Sequence, residues 1–288
     1  YAWQLTREEN TDLKKSTPQL QRALIPGNAE AIAMRVDKPA QPWSNLKVRQ
    51  ALQLGLDRQA IVKDYYGGEA AIYAFPSGPY PQYVSSGGHV PFDKLPKSVQ
   101  ELFEYNPTKA KQLLAEAGYP NGFKMEVIIE SAMIDKVSIM KDQLAKIGVD
   151  LQLAVKERGV YTSIGTGRTH NEGYFEGVDG APYAWHQLRP DDPANASMVD
   201  DPVINKAIAD FAKYFMFDDG KAFPIIGEVT PHILEQAWYL QFPMPYVYTL
   251  WWPWVKNFHG EWAIGATDSY GFTKFIWIDK ALKKSMGF

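Results

Sequence analysis

The chain of 288 residues contains no cysteine. Disulfide bridges, thiol nucleophiles and cysteine-ligated zinc are thereby excluded, and the composition suits a chain that folds outside the cytoplasm. Cationic runs are short, with no stretch of Lys and Arg longer than a pair. With 30 basic against 33 acidic residues and a net charge of −3, there is no positive field to draw nucleic acid. Long apolar runs are missing as well. The most apolar stretch, Trp238 to Val255, is broken by Pro243, Pro245 and Pro253 and falls short of the roughly 20 residues a spanning helix needs. No charged n-region followed by an apolar h-region opens the sequence, so no signal peptide is read. There is no H-E-x-x-H pair, no G-x-S-x-G elbow, and no Gly-Lys-Ser/Thr ending to the glycine-rich Gly165–Gly173 stretch, which reads as a surface loop. His89, His170, His186, His232 and His259 share no metal-binding spacing and read as ordinary surface or packed side chains.

Aromatics, in contrast, are plentiful: 9 Trp, 16 Tyr and 14 Phe, gathered at residues 73–83, 174–185 and 238–262. Rings in strands are expected to form core, and Trp238, Val247 and Trp277 are assigned there. For Tyr183 and Trp185, which neighbour Asp179, His186 and Arg189, two readings stay open. They either pack inward or form the wall of a small-molecule cleft, where rigid rings give contact area and polar edges orient a ligand. Asp191-Asp192 before Pro193 reads as turn chemistry rather than an acid–base pair.

Local signals divide the chain clearly in its first half. Residues 1–28 read as a short helix and a loop that turns at Pro26-Gly27-Asn28. Ala29–Val36 alternates as a strand, and the prolines after it stop the ladder. A helix follows Ser44 or Asn45, a second follows Asp57, and Gly67-Gly68 ends that second one. Residues 71–92 read as a long loop rich in Pro, Gly and Tyr. Asn106-Pro107 opens a helix that Gly118 stops. Strand 123–130, helix 133–147 and strand 149–155 then come in the order that favours a parallel pair. Residues 165–193 read as mostly loop. Asp201-Pro202 opens a helix with Val203, Ala207, Ile208 and Phe211 inward, and 223–237 is helical in period but interrupted at Pro224 and Pro231. Two aromatic strands, "PYVYTLWWPWV" and "FTKFIWID", close the chain.

Two of these stretches carry a family resemblance. "PWSNLKVRQALQLGLDRQAIV" (Pro42 to Val62) and "YNPTKAKQLLAEAGY" (Tyr105 to Tyr119) resemble segments of the solute-binding proteins of ABC importers, the oligopeptide/dipeptide/nickel-binding type called extracellular solute-binding protein family 5. The "IGVDLQL" strand, "DDPVINKAIADF" and "PWVKNFHGE" fit the same pattern in order, so the resemblance runs from about Ala29 to the C-terminus. It implies an α/β fold of the periplasmic-binding-protein type: a lobe II with a mixed sheet flanked by helices, and a C-terminal return to a partial lobe I. The expected division is 1–36 as tail of lobe I and hinge strand, 37–258 as the second large lobe, and 259–288 as the segment returning to lobe I. The resemblance further implies the C-terminal portion of a longer protein that lacks its first lobe here.

The function implied is capture of a small solute between two lobes and delivery to a membrane permease, without catalysis and without a cofactor. Oligopeptide, dipeptide and oligosaccharide are the solute classes to expect, and the protein is expected to be a monomer that binds no nucleic acid. It is expected in the periplasm or outside the cell, a lipid anchor through the upstream N-terminus being one mode of attachment. Family relatives place ligand contacts in the loop that maps to 174–185, which makes Gly177, Asp179, Tyr183, Trp185 and Arg189 the expected ligand-binding residues, with Asp179 facing a ligand amino group. The family's Gly-Trp is altered here to Gly177-Val178, and an insert precedes Asp191-Asp192-Pro193. The competing class is a carbohydrate-binding or glycan-hydrolysing enzyme with an aromatic cleft.

Overall fold

The computed structural model describes residues 2–5, 7–178, 187–260 and 271–288. The first elements are β1 (Ala2–Leu5), α1 (Arg7–Ser16), β2 (Gln21–Pro26), β3 (Ala29–Met34) and α2 (Leu46–Leu54). Next, α3 (Arg58–Ala60) continues as a π-helical turn, Ile61–Tyr65, before β4 (Ala70–Ala71), α4 (Pro81–Ser85), α5 (Lys97–Leu102) and α6 (Pro107–Glu116). The middle of the chain forms β5 (Phe123–Glu130), α7 (Ile134–Ala145), β6 (Val149–Lys156), α8 (Arg158–Gly167) and β7 (Gly173–Val178). The last elements are α9 (Pro202–Ala212), α10 (Asp219–Gln236), β8 (Tyr239–Phe242), β9 (Met244–Trp251), β10 (Val255–Lys256), β11 (Trp277–Ile278) and α11 (Lys280–Ser285). Among the described residues no helix is long and apolar enough to cross a membrane.

The chain divides into two compact units. The larger comprises Asn28–Tyr65 and Ala71–Met244; the smaller comprises Tyr1–Gly27, Tyr66–Ala70 and Pro245–Phe288.

In the larger unit a five-stranded mixed sheet has the order β6-β5-β7-β3-β8. β5 and β6 pair in parallel from Phe123 opposite Val149 to Glu130 opposite Lys156, with α7 between them in sequence, as the strand–helix–strand order requires. β3 runs antiparallel to both β7 and β8. On one face Ala29, Ala31, Ala33, Tyr174 and Val178 meet Tyr161 of α8, Ile204 and Phe211 of α9, and Ile226 and Ile233 of α10 in a single core. Burying an Ile or Phe side chain in this way is worth about 1.5–3 kcal/mol before entropy is counted.

The helical cassette that follows β3 holds its place with polar side chains. Asn45, not Ser44, caps α2 by accepting from Lys47 N, and Asp57 caps α3 through Ala60 N. Arg49 donates to the carbonyls of Trp43, Ser44 and Gln236. Arg58 is 0% exposed, donates to the carbonyls of Gln53 and Gln241 and to Gln53 Oε1, and lies 4.6 Å from the Phe103 ring centre. Gln241 in turn accepts from the backbone N–H groups of Ala74 and Phe75. Burial lowers the Arg58 guanidinium to about 9, so it stays charged at neutral pH on carbonyl dipoles and a ring face.

Several expectations need correction. Residues 165–193, expected to be mostly loop, hold more regular structure than that: α8 reaches Gly167, and Gly173–Val178 is an interior strand of the sheet. Two glycines and a glutamate disguise it, and its strand character comes from non-local pairing with β3 and β5. α10 runs unbroken from Asp219 to Gln236 through Pro224 and Pro231. Seven buried residues along it hold the helix despite the lost donors, and Gly227 comes so close to Gly87 that a Cβ would sit 2.2 Å from its carbonyl. In α9 Phe211 is buried and Ala207 and Ile208 pack against the core as expected, but Ile204 rather than the exposed Val203 fills the first inward place.

In the smaller unit β9 is flanked by β1 and β2, both antiparallel, and β4 also pairs with it. The N-terminal stretch is thus strand, helix and strand rather than helix and loop. Trp251, Phe258 and Phe272 form a small core there, and Trp252 stacks on Trp254 with ring centres 4.6 Å apart. The closing "FTKFIWID" supplies only the short strand Trp277–Ile278, paired with β10. Trp277 is 57% exposed and is not core, because a two-stranded ribbon buries little of its own surface. Trp238 is buried as expected, and Val247 is half-buried.

Candidate functional site

β7 sits between β5 and β3 and ends at Val178, so the first part of the segment expected to meet a ligand, 174–185, is strand. Its alternation puts Tyr174, Glu176 and Val178 on one face of the sheet. Opposite them on β3 stand Ala33, Ala31 and Ala29, in that order. Three small residues on one strand leave room for the larger side chains of the next.

Of the five residues expected to contact a ligand, Asp179, Tyr183 and Trp185 lie outside the described residues, as does His186. Gly177 lies at the end of β7, exposed, opposite Glu30. A Cβ there would meet only Ala29 O, at 3.9 Å, so neither space nor a positive φ demands glycine. Its carbonyl accepts from Gln187 Nε2 at 3.1 Å, and the Gln187 carbonyl accepts from Tyr239 Oη at 2.8 Å. The two flanks of residues 179–186 are therefore pinned together and to β8. Arg189 is exposed and forms an ion pair with Asp192 at 2.5 Å. Asp192 also accepts from Ala194 N, and Asn195 Nδ2 bridges to the carbonyls of Arg189 and Val199. Arg189 and Asp192 thus serve the local turn, which agrees with turn chemistry for Asp191-Asp192.

The residue that sequence reasoning missed is Glu176. The residue as a whole keeps some exposure, but Oε1 is closed off from solvent and meets no hydrogen-bond donor among the described residues. Burial pushes its carboxyl from the usual 4.5 up to about 8. Three phenols feel its charge, and each donates elsewhere. Tyr161 Oη reaches Phe175 O at 2.6 Å, Tyr174 Oη reaches Tyr161 O at 3.1 Å, and Tyr239 Oη reaches Gln187 O. The rings of Tyr161 and Tyr174 stack with centres 4.6 Å apart. Alternation of Tyr174, Glu176 and Val178 was the available signal, and reading the stretch as loop concealed it.

Three histidines, His170, His89 and His232, are held by packing and hydrogen bonds. His170 is 1% exposed, its Nε2 donates to Ala196 O at 2.8 Å, and burial lowers it to about 4. His89 donates from Nδ1 to Ser77 O and stacks on Tyr73, and His232 lies 3.2 Å from the Asp201 cap of α9. Among the described residues no cluster of three or more metal-ligating side chains occurs. A groove of about 510 Å³ runs along α9 and α10, and its Lys206 and Lys213 are both paired with Asp210.

Comparison with known proteins fits this architecture. The model of "Bacterial extracellular solute-binding proteins, family 5 Middle" matches residues 2–198. Heme-binding protein A of Haemophilus influenzae is 37% identical over 117 residues, which cover 40% of this chain and 19% of that protein. Glutathione-binding protein GsiB of Escherichia coli K12 is 30% identical over 158 residues, 54% of this chain and 26% of the relative. Among solved structures, HbpA2 from Haemophilus parasuis superposes with a TM-score of 0.72 at 24% identity, covering 94% of this chain and 52% of that one. The periplasmic binding protein DppA from Helicobacter pylori, in complex with the peptide STSA, gives 0.67 at 22% identity, covering 94% and 51%. The chain therefore spans about half the length of these solved relatives, with their fold. Sheet order, the cassette after β3 and the match over two thirds of the residues agree: this chain belongs to the bacterial extracellular solute-binding proteins of family 5.

Proposed function

We propose that the protein is the solute-binding component of an ABC importer. In this reading it captures a peptide or similar small solute between two lobes, releases it chemically unchanged to a membrane permease, and works in the periplasm or outside the cell. The observation that carries the reading is the family match over residues 2–198, joined to a fold shared over 94% of the chain with peptide-binding relatives. The larger unit would serve as the second large lobe. The smaller unit, which includes the C-terminal residues 259–288, would belong with the first lobe. Ligand contacts are assigned to Gly177, Asp179, Tyr183, Trp185 and Arg189, the last only on release from Asp192.

Native mass spectrometry of the intact natural protein as purified should show a retained small molecule, and calorimetry with peptides should give saturable heat without product. Turnover of a peptide or glycan on prolonged incubation would overturn the receptor reading in favour of an enzyme. Within the receptor reading, Asp179→Ala should weaken binding of amino-bearing solutes by about tenfold or more, as loss of one charge-assisted contact does. Unchanged affinity across N-acetylated and free-amino peptides would remove Asp179 from the site.

A further inference from the structure

We propose that Glu176 is a specificity-determining residue of the solute site, a buried carboxyl that accepts an amino or guanidinium group of the bound solute. The inference rests on the solute-receptor reading and adds to it a residue and a ligand chemistry.

Four observations support it. First, Glu176 faces the interior side of an interior strand, opposite Ala31, two residues before that strand ends. Second, its Oε1 is closed to solvent and has no donor among the described residues, which is rare for a buried polar atom and calls for a cause. Third, the fold could have satisfied it at little cost. Tyr161 on α8, Tyr174 on β7 and Tyr239 on β8 all lie close enough to feel its charge, yet their hydroxyls donate to the carbonyls of Phe175, Tyr161 and Gln187. Fourth, Glu130 at the end of β5 is the other carboxylate acting on Tyr161 and Tyr174, and it has a cation of its own in Arg158 at 3.5 Å.

A carboxyl left without partners in an apolar setting holds its own proton near neutral pH, and burial here raises it to about 8. When a cation arrives, the ionised form is favoured and the proton leaves to solvent. The exchange is balanced: one cationic N–H donor replaces one bound proton, and no covalent bond in the solute is touched. A neutral solute would meet a protonated carboxyl and a weaker contact.

The test uses the intact natural protein and paired tripeptides, Ala-Lys-Ala and Ala-Arg-Ala against Ala-norleucine-Ala, in calorimetry at pH 7 in buffers of different ionisation enthalpy. The expected result is at least tenfold tighter binding of the cationic peptides, with release of about one proton per peptide bound. Glu176→Gln should keep affinity for the norleucine peptide, lose the preference for Lys and Arg, and lose the proton release. Glu176→Asp should keep the proton release with reduced affinity. If the unmodified protein binds the peptides and Glu176→Gln leaves both preference and proton count unchanged, the inference is overturned while the receptor reading stands. If the unmodified protein binds none of the three peptides, peptide capture is overturned, and this inference with it.

Discussion

Arg58 and Glu176 are both ionisable and both buried within the larger unit, and the fold treats them in opposite ways. Arg58 is surrounded by acceptors: two backbone carbonyls, the Gln53 amide oxygen and the face of Phe103. Glu176 is surrounded by hydroxyls that donate to something else. A buried charge whose three nitrogens each donate to an acceptor is a structural device, because removing it weakens the groups it satisfied. A buried carboxyl with an unpartnered oxygen adds nothing to folding as it stands, and so points outward to chemistry the fold alone does not use. The difference separates the cassette, which holds the larger unit together, from the end of β7, where we propose that the solute is met.

The largest test of that contrast is Arg58→Ala. It removes at least three hydrogen bonds and takes the charged donor away from the buried carbonyls of Gln53 and Gln241 and from Gln53 Oε1, so stability should drop by about 3–5 kcal/mol in urea unfolding. Arg58→Lys should recover little of this, since one ammonium cannot span carbonyls on α2 and β8 together with the ring face. A loss below about 1 kcal/mol would break the comparison at its structural end.

Glu176→Gln should act in the opposite direction. The folded carboxyl titrates at about 8 and the unfolded one near 4.5, so the folded state holds the extra proton between those values. Stability from this group is fully present below about 4.5 and is lost as pH rises to about 8. The unmodified protein should therefore weaken by roughly 2–4 kcal/mol across that window, and the Gln variant should show a flatter curve and exceed it in stability at pH 8–9. Parallel curves for the two proteins would show that the carboxyl is solvated after all.

Smaller effects calibrate the scale. Asn106 caps α6 through Lys109 N, and Asn106→Ala should cost about 1 kcal/mol, read as a shift in the urea midpoint at unchanged slope. Asp210→Asn breaks ion pairs with Lys206 and Lys213 on the surface of α9, and the thermal midpoint should stay within error of the unmodified protein in 0.15 M salt.

The first half of the larger unit was legible because its signals are local. Asn45, Asp57 and Asn106 cap the helices that follow them, and Gly118, Gly122 and Gly148 take the positive φ that stops or turns the chain. Gly122 and Gly148 also approach so closely that a Cβ on Gly122 would sit 1.8 Å from Gly148 O, which a sequence reading sees only as two turns. The second half resisted for the same physical reason in reverse. β7 is a strand because β3 and β5 stand on either side of it, and α10 ignores two prolines because one side of it is buried. Trp277 is outside because, among the described residues, the β10–β11 ribbon is only two strands wide and leaves its ring exposed.

By itself the sequence determined the caps, the turns, the parallel β5–β6 pair and the family, since each of these is written in residues close together along the chain. Only the tertiary structure decided that the cassette arginines bind carbonyls of α10 and β8, that Gly173–Val178 is an interior strand, and that three tyrosines gather around Glu176 without donating to it. Hydrogen-bond partners some 180 residues apart leave no periodicity to read. Whether a buried group is satisfied depends on where every neighbouring donor points, which is settled only when the sheet has formed.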